Sequence, residues 1–205
     1  MKIFRRDRNQ PLTYLLILGF MRDLDEQEYI RRVRNGEHAA YAVLVDAYKT
    51  LAYSIALKVL GNEDEAQDAA QEGFIKAYQQ LHQFEGKSKF STWLYTIVYR
   101  TAITKRKEMK MKTAPLSDYM RDNFAADHST PQLAQLQSDD IQRCLRMAID
   151  RLPETEGLLV MLYYIDENSV REIQQITGLT GANIKIKLFR ARKKLERELR
   201  FLLDH

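Results

Sequence analysis

The chain has 205 residues and a net charge of +4, with 45% hydrophobic and 29% charged residues. This balance is typical of a folded globular protein and excludes a disordered tail, and the length allows two small domains. Only eight glycines and four prolines occur, which favours long helices over a turn-rich β architecture. Cys144 is the only cysteine, so no intramolecular disulfide can form and we expect a reducing, cytoplasmic setting.

The first 24 residues form an N-terminal extension whose order of charged and apolar residues is similar to that of an export signal. Basic residues precede the apolar stretch "LTYLLILGF", but this stretch is about half of the ~20 residues that span a bilayer. No small-x-small cleavage site follows it, so we expect no membrane insertion. Three interpretations stay open: the segment directs export, Met21 is the physiological start, or the extension is an accessory segment.

Residues 25–112 consist of successive amphipathic helices, which we predict to form one domain. In "EDEAQDAAQEGFIKAYQQLHQF", small and aromatic residues share one side of a helix, while polar residues and Ile75 share another. A loop, "EGKSK", separates this helix from "FSTWLYTIVYRTAITKRKEMKMK". In that last helix we expect Trp93 to belong to the core.

Residues 113–135 lose the helical periodicity and collect Pro, Ser, Thr, Asp and Asn, which predicts a flexible linker. Periodicity returns over residues 136–205, the predicted second domain. The expected fold is therefore all-α, with two small helical domains joined by a linker.

A helix-turn-helix is predicted near the C-terminus. Ser169 and Glu172 form a capping box, Gly178 suits a left-handed turn, and Thr180 can cap the next helix. That helix contains "GANIKIKLFRARKKLERELR", in which apolar residues recur at spacings of four, three and four and predict a helix instead of a strand: Ile184, Leu188, Ala191 and Leu195. Its outward basic residues suit a DNA groove, although a solvated helix that only aids solubility is the alternative.

The sequence resembles extracytoplasmic-function (ECF) sigma factors of the sigma-70 family. The stretch "EDEAQDAAQEGFIKAYQQLHQFEGKSKFSTWLYTIVYR" is similar to the most recurrent segment of that family, and "VREIQQITGLTGANIKIKLFRARKKLEREL" is similar to its C-terminal motif. The resemblance covers roughly residues 25–203, in the right order. It implies a transcription initiation factor that binds core RNA polymerase and promoter DNA, with an anti-sigma factor as a further partner that many members have.

The resemblance implies a polymerase-binding set on one helix face: Asp68, Gln71, Glu72 and Ile75. Carboxylates four residues apart lie on one face and can pair with arginines across an interface. An ordinary solvated face is the alternative, against which an exposed Ile75 argues. The acidic residues Asp118, Asp122 and Asp127 of the linker would thread toward the RNA path of the polymerase.

A second set matches the part of the family that opens the duplex and holds a flipped −10 base: Phe84, Lys87, Ser88, Lys89, Phe90, Arg100, Lys105 and Arg106. Phe84 and Phe90 would supply apolar walls and the lysines would contact the backbone. For the basic run that begins at Lys105, solubility is an equal alternative. Arg100 stands where many members have Asn, which puts the usual −10 preference in doubt.

A third set matches residues that touch the −35 element: Lys185, Lys187, Phe189, Arg190, Arg192 and Lys193. In this domain the chain departs from the family in two places. Gln174 replaces a small residue, which would change the helix spacing, and Ile186 replaces a common Ser.

Two other functions compete with this interpretation. A conventional helix-turn-helix regulator would not need the region from Asp68 to Phe90. A helical hydrolase would use Asp64, Asp68 and Glu72 around a divalent metal, but no histidine partner, phosphate loop or nucleophile motif accompanies them. The scattered histidines show no metal-ligand spacing. We therefore expect no enzyme activity, metal, cofactor or small-molecule substrate.

Overall fold

The computed structural model describes residues 25–113, here called the N-terminal half, and residues 138–200, the C-terminal half. All regular structure in these ranges is helical, which confirms the predicted all-α class. The α-helices are α1 (Glu26–Arg34), α2 (Ala40–Leu60), α3 (Glu63–Gln80), α4 (Phe90–Thr113), α5 (Ser138–Asp150), α6 (Glu154–Val160), α7 (Val170–Thr177) and α8 (Gly181–Glu198). The predictions for the extension and for the three linker aspartates lie outside the described residues. In the described part, no helix is both long and apolar enough to cross a bilayer.

The start of α3 is set by a turn at Gly61 and Asn62. Gly61 has a φ of +67°, the left-handed conformation that glycine adopts without strain, and it ends α2. Asn62 then caps α3, because its side chain accepts a hydrogen bond of 3.0 Å from the backbone N–H of Glu65.

Helices α3 and α4 pack closely because the buried side of α3 consists largely of alanine and glycine. Ala66, Ala69 and Ala77 are fully buried, and a Cβ at Gly73 would lie 2.7 Å from Cγ2 of Val98 on α4. Only a residue without a side chain fits at this crossing. The opposite side of α3 is left facing solvent.

The predicted helix-turn-helix is present as α7, a short turn and α8. Ser169 Oγ accepts from the Glu172 N–H at 3.2 Å, and the Glu172 carboxylate accepts from the Ser169 N–H at 2.7 Å. Gly178 has a φ of +74°, and Thr180 accepts from the Asn183 N–H at 3.3 Å to begin α8. The capping box, turn and cap expected from the sequence are therefore all formed.

The question of helix or strand for residues 181–198 is settled by burial. The four apolar residues of the predicted stripe are all buried: Ile184, Leu188, Ala191 and Leu195. Residues three and four apart share one side only in a helix, so the short alternation around Lys185 does not produce a strand.

The two halves contact each other, which the sequence did not predict. Helix α2 packs on α6, helix α4 packs on α7, and buried side chains from both halves belong to one contiguous cluster. Lys58 Nζ lies 2.8 Å from Asp150 Oδ1 across this contact. The assignment of separate domains over residues 25–112 and 136–205 stays a prediction.

Candidate nucleic-acid and polymerase interfaces

The outer face of α8 carries exposed cations. Lys185, Arg190 and Lys193 are exposed, as predicted, whereas Lys187 is half-buried on the flank of the helix. The buried stripe fixes which side faces out, and the Thr180 cap fixes where the helix begins. Because α8 is held by its inner face, its outer face is available to a partner.

These cations have no acidic partner in the part of the chain whose side chains are described. No carboxylate of residues 25–111 or 144–200 lies within 4.0 Å of Lys185, Lys187, Arg190 or Lys193. The ammonium group of Lys193 lies 5.1 Å from the centroid of the Phe189 ring. Cations in this state can contact a polyanion without first giving up an ion pair.

Arg192 and Lys194 lie on the flanks of α8, between its buried stripe and its exposed face. Arg192 is half-buried beside the Tyr164 hydroxyl; burial raises the pKa of Tyr164, and the charge and hydrogen bond of Arg192 oppose that rise. Lys194 Nζ lies 2.9 Å from the buried carboxylate of Glu156 on α6. In this structure both side chains attach α8 to the preceding helices.

The predicted polymerase-binding set is exposed on the outer side of α3: Asp68, Gln71, Glu72 and Ile75. Ile75 is 51% exposed, so the face combines acidic groups with an uncovered apolar side chain. Glu72 Oε1 lies 2.6 Å from Lys76 Nζ, one turn along the helix. The structure therefore brings the four residues together on one surface.

The loop before α4 keeps its aromatic residues in the core. Phe84 and Phe90 are 4% and 1% exposed and pack against each other and Trp93, with ring centroids 5.2 to 5.7 Å apart. We expected these two rings to form walls around an unstacked base, but neither has a free face here. Arg34 holds the loop in place by donating hydrogen bonds to the backbone carbonyls of Leu81 and Phe84.

The cations of this loop are paired with carboxylates. Lys87 pairs with Glu85, and Lys89 Nζ lies 3.1 Å from Glu172 Oε1 of the C-terminal half. Ser88 Oγ donates a hydrogen bond of 3.3 Å to the Lys89 carbonyl. The loop thus presents its positive charge already neutralised in part.

Two cations of α4, Lys105 and Arg106, are paired in a similar way. Lys105 Nζ lies 2.7 Å from Glu65 Oε2, and Asp68 is its second acidic neighbour. Burial lowers the pKa of Lys105, but hydrogen bonds to Glu65 and Asp68 outweigh burial and raise the pKa overall. Arg106 lies 3.4 Å from Glu154 of the C-terminal half. Arg100 is exposed.

Comparison with known proteins decides the family. A profile for sigma-70 region 2 matches residues 44–110, and a profile for sigma-70, region 4 matches residues 142–195. The ECF RNA polymerase sigma factor SigW of Bacillus subtilis is 34% identical over 182 residues, which cover 84% of this chain and 96% of the relative. The chain belongs to the ECF group of the sigma-70 family.

Other relatives agree with this assignment. The RNA polymerase sigma-H factor of Pseudomonas aeruginosa is 31% identical over 186 residues, or 87% of this chain and 95% of the relative. CnrH in complex with the cytosolic domain of CnrY has a TM-score of 0.53 at 18% identity and covers 87% of this chain and 97% of its own. The sigma factor RpoE in complex with the anti-sigma factor NepR from Bartonella quintana has a TM-score of 0.54 at 21% identity and covers 78% of this chain and 96% of its own. At these identities the two structures support the fold.

Gln174, expected from the resemblance to replace a small residue, lies on α7, the first helix of the helix-turn-helix. Its side chain lies against the start of α8, where a Cβ at Gly181 would be 3.1 Å from Gln174 Oε1. The larger residue on α7 is therefore accommodated by the missing side chain on α8. The changed helix spacing expected from Gln174 stays a prediction.

The charged residues at the contact between the halves carry no signal in the sequence. Lys58 finds its partner 92 residues further along the chain. Burial raises the pKa of Asp166 to about 6, although Asn168 donates a hydrogen bond of 2.6 Å to its Oδ2. Neither residue belongs to a motif, so only the tertiary structure could reveal their roles.

Proposed function

We propose that this sigma factor binds core RNA polymerase in the cytoplasm and directs it to a promoter, where the complex melts the DNA and begins transcription. The observation that carries the proposal is the exposed basic face of α8, whose cations have no carboxylate partner in the described side chains. It catalyses no reaction of its own in this proposal, because its side chains act by binding and positioning.

We assign the −35 element to α8. The second helix of a helix-turn-helix enters the major groove with its N-terminal part near the base edges. Lys185, Phe189 and Arg190 would face bases, and Lys187 and Lys193 would contact phosphates. Arg192 would contact a phosphate only after leaving Tyr164, so we expect it to contribute less than Lys193.

We assign the −10 element to the loop before α4 and to α4 itself. Four cations would exchange their ion pairs for contacts with phosphates: Lys87, Lys89, Lys105 and Arg106. The exposed Arg100 and the Ser88 hydroxyl would add further polar contacts. Phe84 and Phe90 would support the loop from beneath while it holds a displaced base.

We assign polymerase binding to the outer face of α3. Asp68 and Glu72 would pair with cations of the polymerase, while Gln71 adds hydrogen bonds. Ile75 would be buried at the centre of the interface, where an apolar side chain contributes most. We also propose an anti-sigma factor as a regulatory partner, since the solved RpoE structure holds RpoE with NepR.

The proposal is tested by reconstitution with core RNA polymerase and a double-stranded promoter library. Transcription should start at defined sites only when this protein is added, and Ile75→Asp should weaken polymerase binding by about tenfold. Gln67→Arg changes an exposed residue of α3 outside the set and should leave binding intact. DNA binding without polymerase binding would instead identify a conventional regulator.

A further inference from the structure

Two of the five large hydrophobic side chains that are exposed in the described residues lie one turn apart on α8. Ile186 is 53% exposed and Phe189 is 52% exposed. A single exposed apolar residue is common on protein surfaces. Ile186 and Phe189 together expose apolar surface to water in the middle of a basic face, at positions where polar side chains would fit equally well. Exposed apolar surface of this kind points to a partner that covers it.

Helix geometry places Ile186 at the centre of this face. At about 100° per residue, Ile186 lies roughly opposite the buried Ile184, Leu188 and Leu195. It is the sixth residue of α8, and the first turns of such a helix are those that reach base edges. Lys193 lies two turns further along the same side, where its charge complements DNA phosphates.

The chemistry of isoleucine limits what it can contact in a major groove. Among the base edges there, only thymine offers an apolar group, its 5-methyl. Every other edge presents donors or acceptors, which would lose water against Ile186 without gaining a hydrogen bond. An exposed isoleucine at this position is therefore suited to thymine and unsuited to the other three bases.

We propose that Ile186 contacts the 5-methyl group of a thymine in the −35 element and makes that position selective for thymine. This assignment rests on the proposed function, because it requires α8 to lie in the major groove of promoter DNA. Ile186→Ser, which replaces the apolar side chain with a hydroxyl, should accept several bases at the same position.

The first experiment uses polymerase reconstituted with this protein and a promoter library randomised in the −35 region. Sequenced transcripts give the base preference at each position. The wild type should prefer thymine at one position, and Ile186→Ser should lose that preference while keeping the others. Met147→Ser is the matched control, because Met147 is 44% exposed but lies on α5.

The second experiment replaces that thymine with deoxyuridine, which removes the methyl group and leaves base pairing unchanged. Initiation by the wild type should fall about fourfold, the size expected for burying one methyl group, and initiation by Ile186→Ser should not change. Equal effects on both proteins, or no effect on either, would overturn the proposal. The melting temperatures of the wild type and Ile186→Ser should agree, which checks that the substitution leaves folding intact.

The outcomes separate this inference from the proposed function. If no member of the library supports initiation that depends on this protein, the proposed function fails and the inference fails with it. If initiation occurs but Ile186→Ser changes no thymine preference, only the inference is overturned.

Discussion

The two basic surfaces of this sigma factor differ in what surrounds their cations. On α8, Lys185, Arg190 and Lys193 face solvent without a carboxylate partner among the side chains of residues 25–111 and 144–200. In the loop and α4, four cations each lie beside a carboxylate: Lys87, Lys89, Lys105 and Arg106. In the proposed assignment, the α8 surface would bind DNA by releasing counterions, whereas the N-terminal surface would also have to give up ion pairs.

Two of those carboxylates belong to the C-terminal half. Glu172 pairs with Lys89, and Glu154 pairs with Arg106. Two of the side chains assigned to the −10 element, Lys89 and Arg106, therefore also help to hold the halves together. In the proposed assignment, DNA binding by this surface would compete with the contact between the halves, while DNA binding by the exposed face of α8 would not.

The largest effect should come from breaking the support of α8. Ile184 is fully buried, and Ile184→Ala should lower the free energy of unfolding by about 2–5 kcal/mol through lost contacts and a cavity. Ile186→Ala, two residues away on the exposed side, should change it by less than about 0.5 kcal/mol. Urea denaturation of both variants measures the difference. Similar losses in the two variants would contradict the assigned orientation of α8.

The next effect separates base contacts from phosphate contacts on α8. Arg190→Ala should weaken −35 binding by about 1–3 kcal/mol and relax the preference at one base pair. Lys193→Ala should weaken binding to all sequences alike and reduce the slope of affinity against salt. Binding to a set of single-base −35 variants at several salt concentrations compares them. If both variants respond alike across sequences, the assignment of Arg190 to a base is wrong.

Local features of the fold could be predicted because their causes are local. The capping box at Ser169, the left-handed turn at Gly178 and the stripe through Leu188 depend on residues within a few positions of each other. Sequence patterns of this kind identify helices and their ends. They also identified the exposed face of α3 around Ile75. Once the small and aromatic residues of α3 are assigned to the buried side, the remaining residues must face solvent.

The rest could not be predicted because it depends on distant partners. Whether Phe84 and Phe90 are walls or core depends on Trp93 and on Arg34, which pins the loop from α1. Aromatic residues in a basic loop suit either role by composition alone. The pairing of Arg106 with an acid 48 residues away likewise leaves no trace in the local pattern.

A smaller effect concerns pH at the contact between the halves. Burial raises the pKa of Asp166 to about 6. The hydrogen bond from Asn168 and the charge of Lys89 lower this pKa, whereas the negative charges of Glu172 and Glu26 raise it further. Because the folded state holds this proton more tightly than the unfolded state, stability should fall as pH rises from about 4 to about 6. Asp166→Asn should remove this part of the pH dependence and stabilise the protein by roughly 1–2 kcal/mol at pH 8. Denaturation across pH tests this, and a wild type that gains stability over that range relative to Asp166→Asn would contradict it.

The smallest effect tests the competition between the −10 surface and the contact of the halves. Glu154→Gln removes the carboxylate 3.4 Å from Arg106, and because exposed ion pairs are weak we expect only about a twofold gain in affinity for a −10 duplex. Affinity for a −35 duplex should not change, since Lys185, Arg190 and Lys193 have no carboxylate partner among the side chains of residues 25–111 and 144–200. Glu63→Gln is the matched control, because Glu63 is an exposed acid in the first turn of α3 and its loss changes the net charge equally. Fluorescence anisotropy with both duplexes measures the six affinities of the wild type and the two variants. A gain of the same size for both duplexes, or for both variants, would mean that net charge and not the Arg106 pair controls binding.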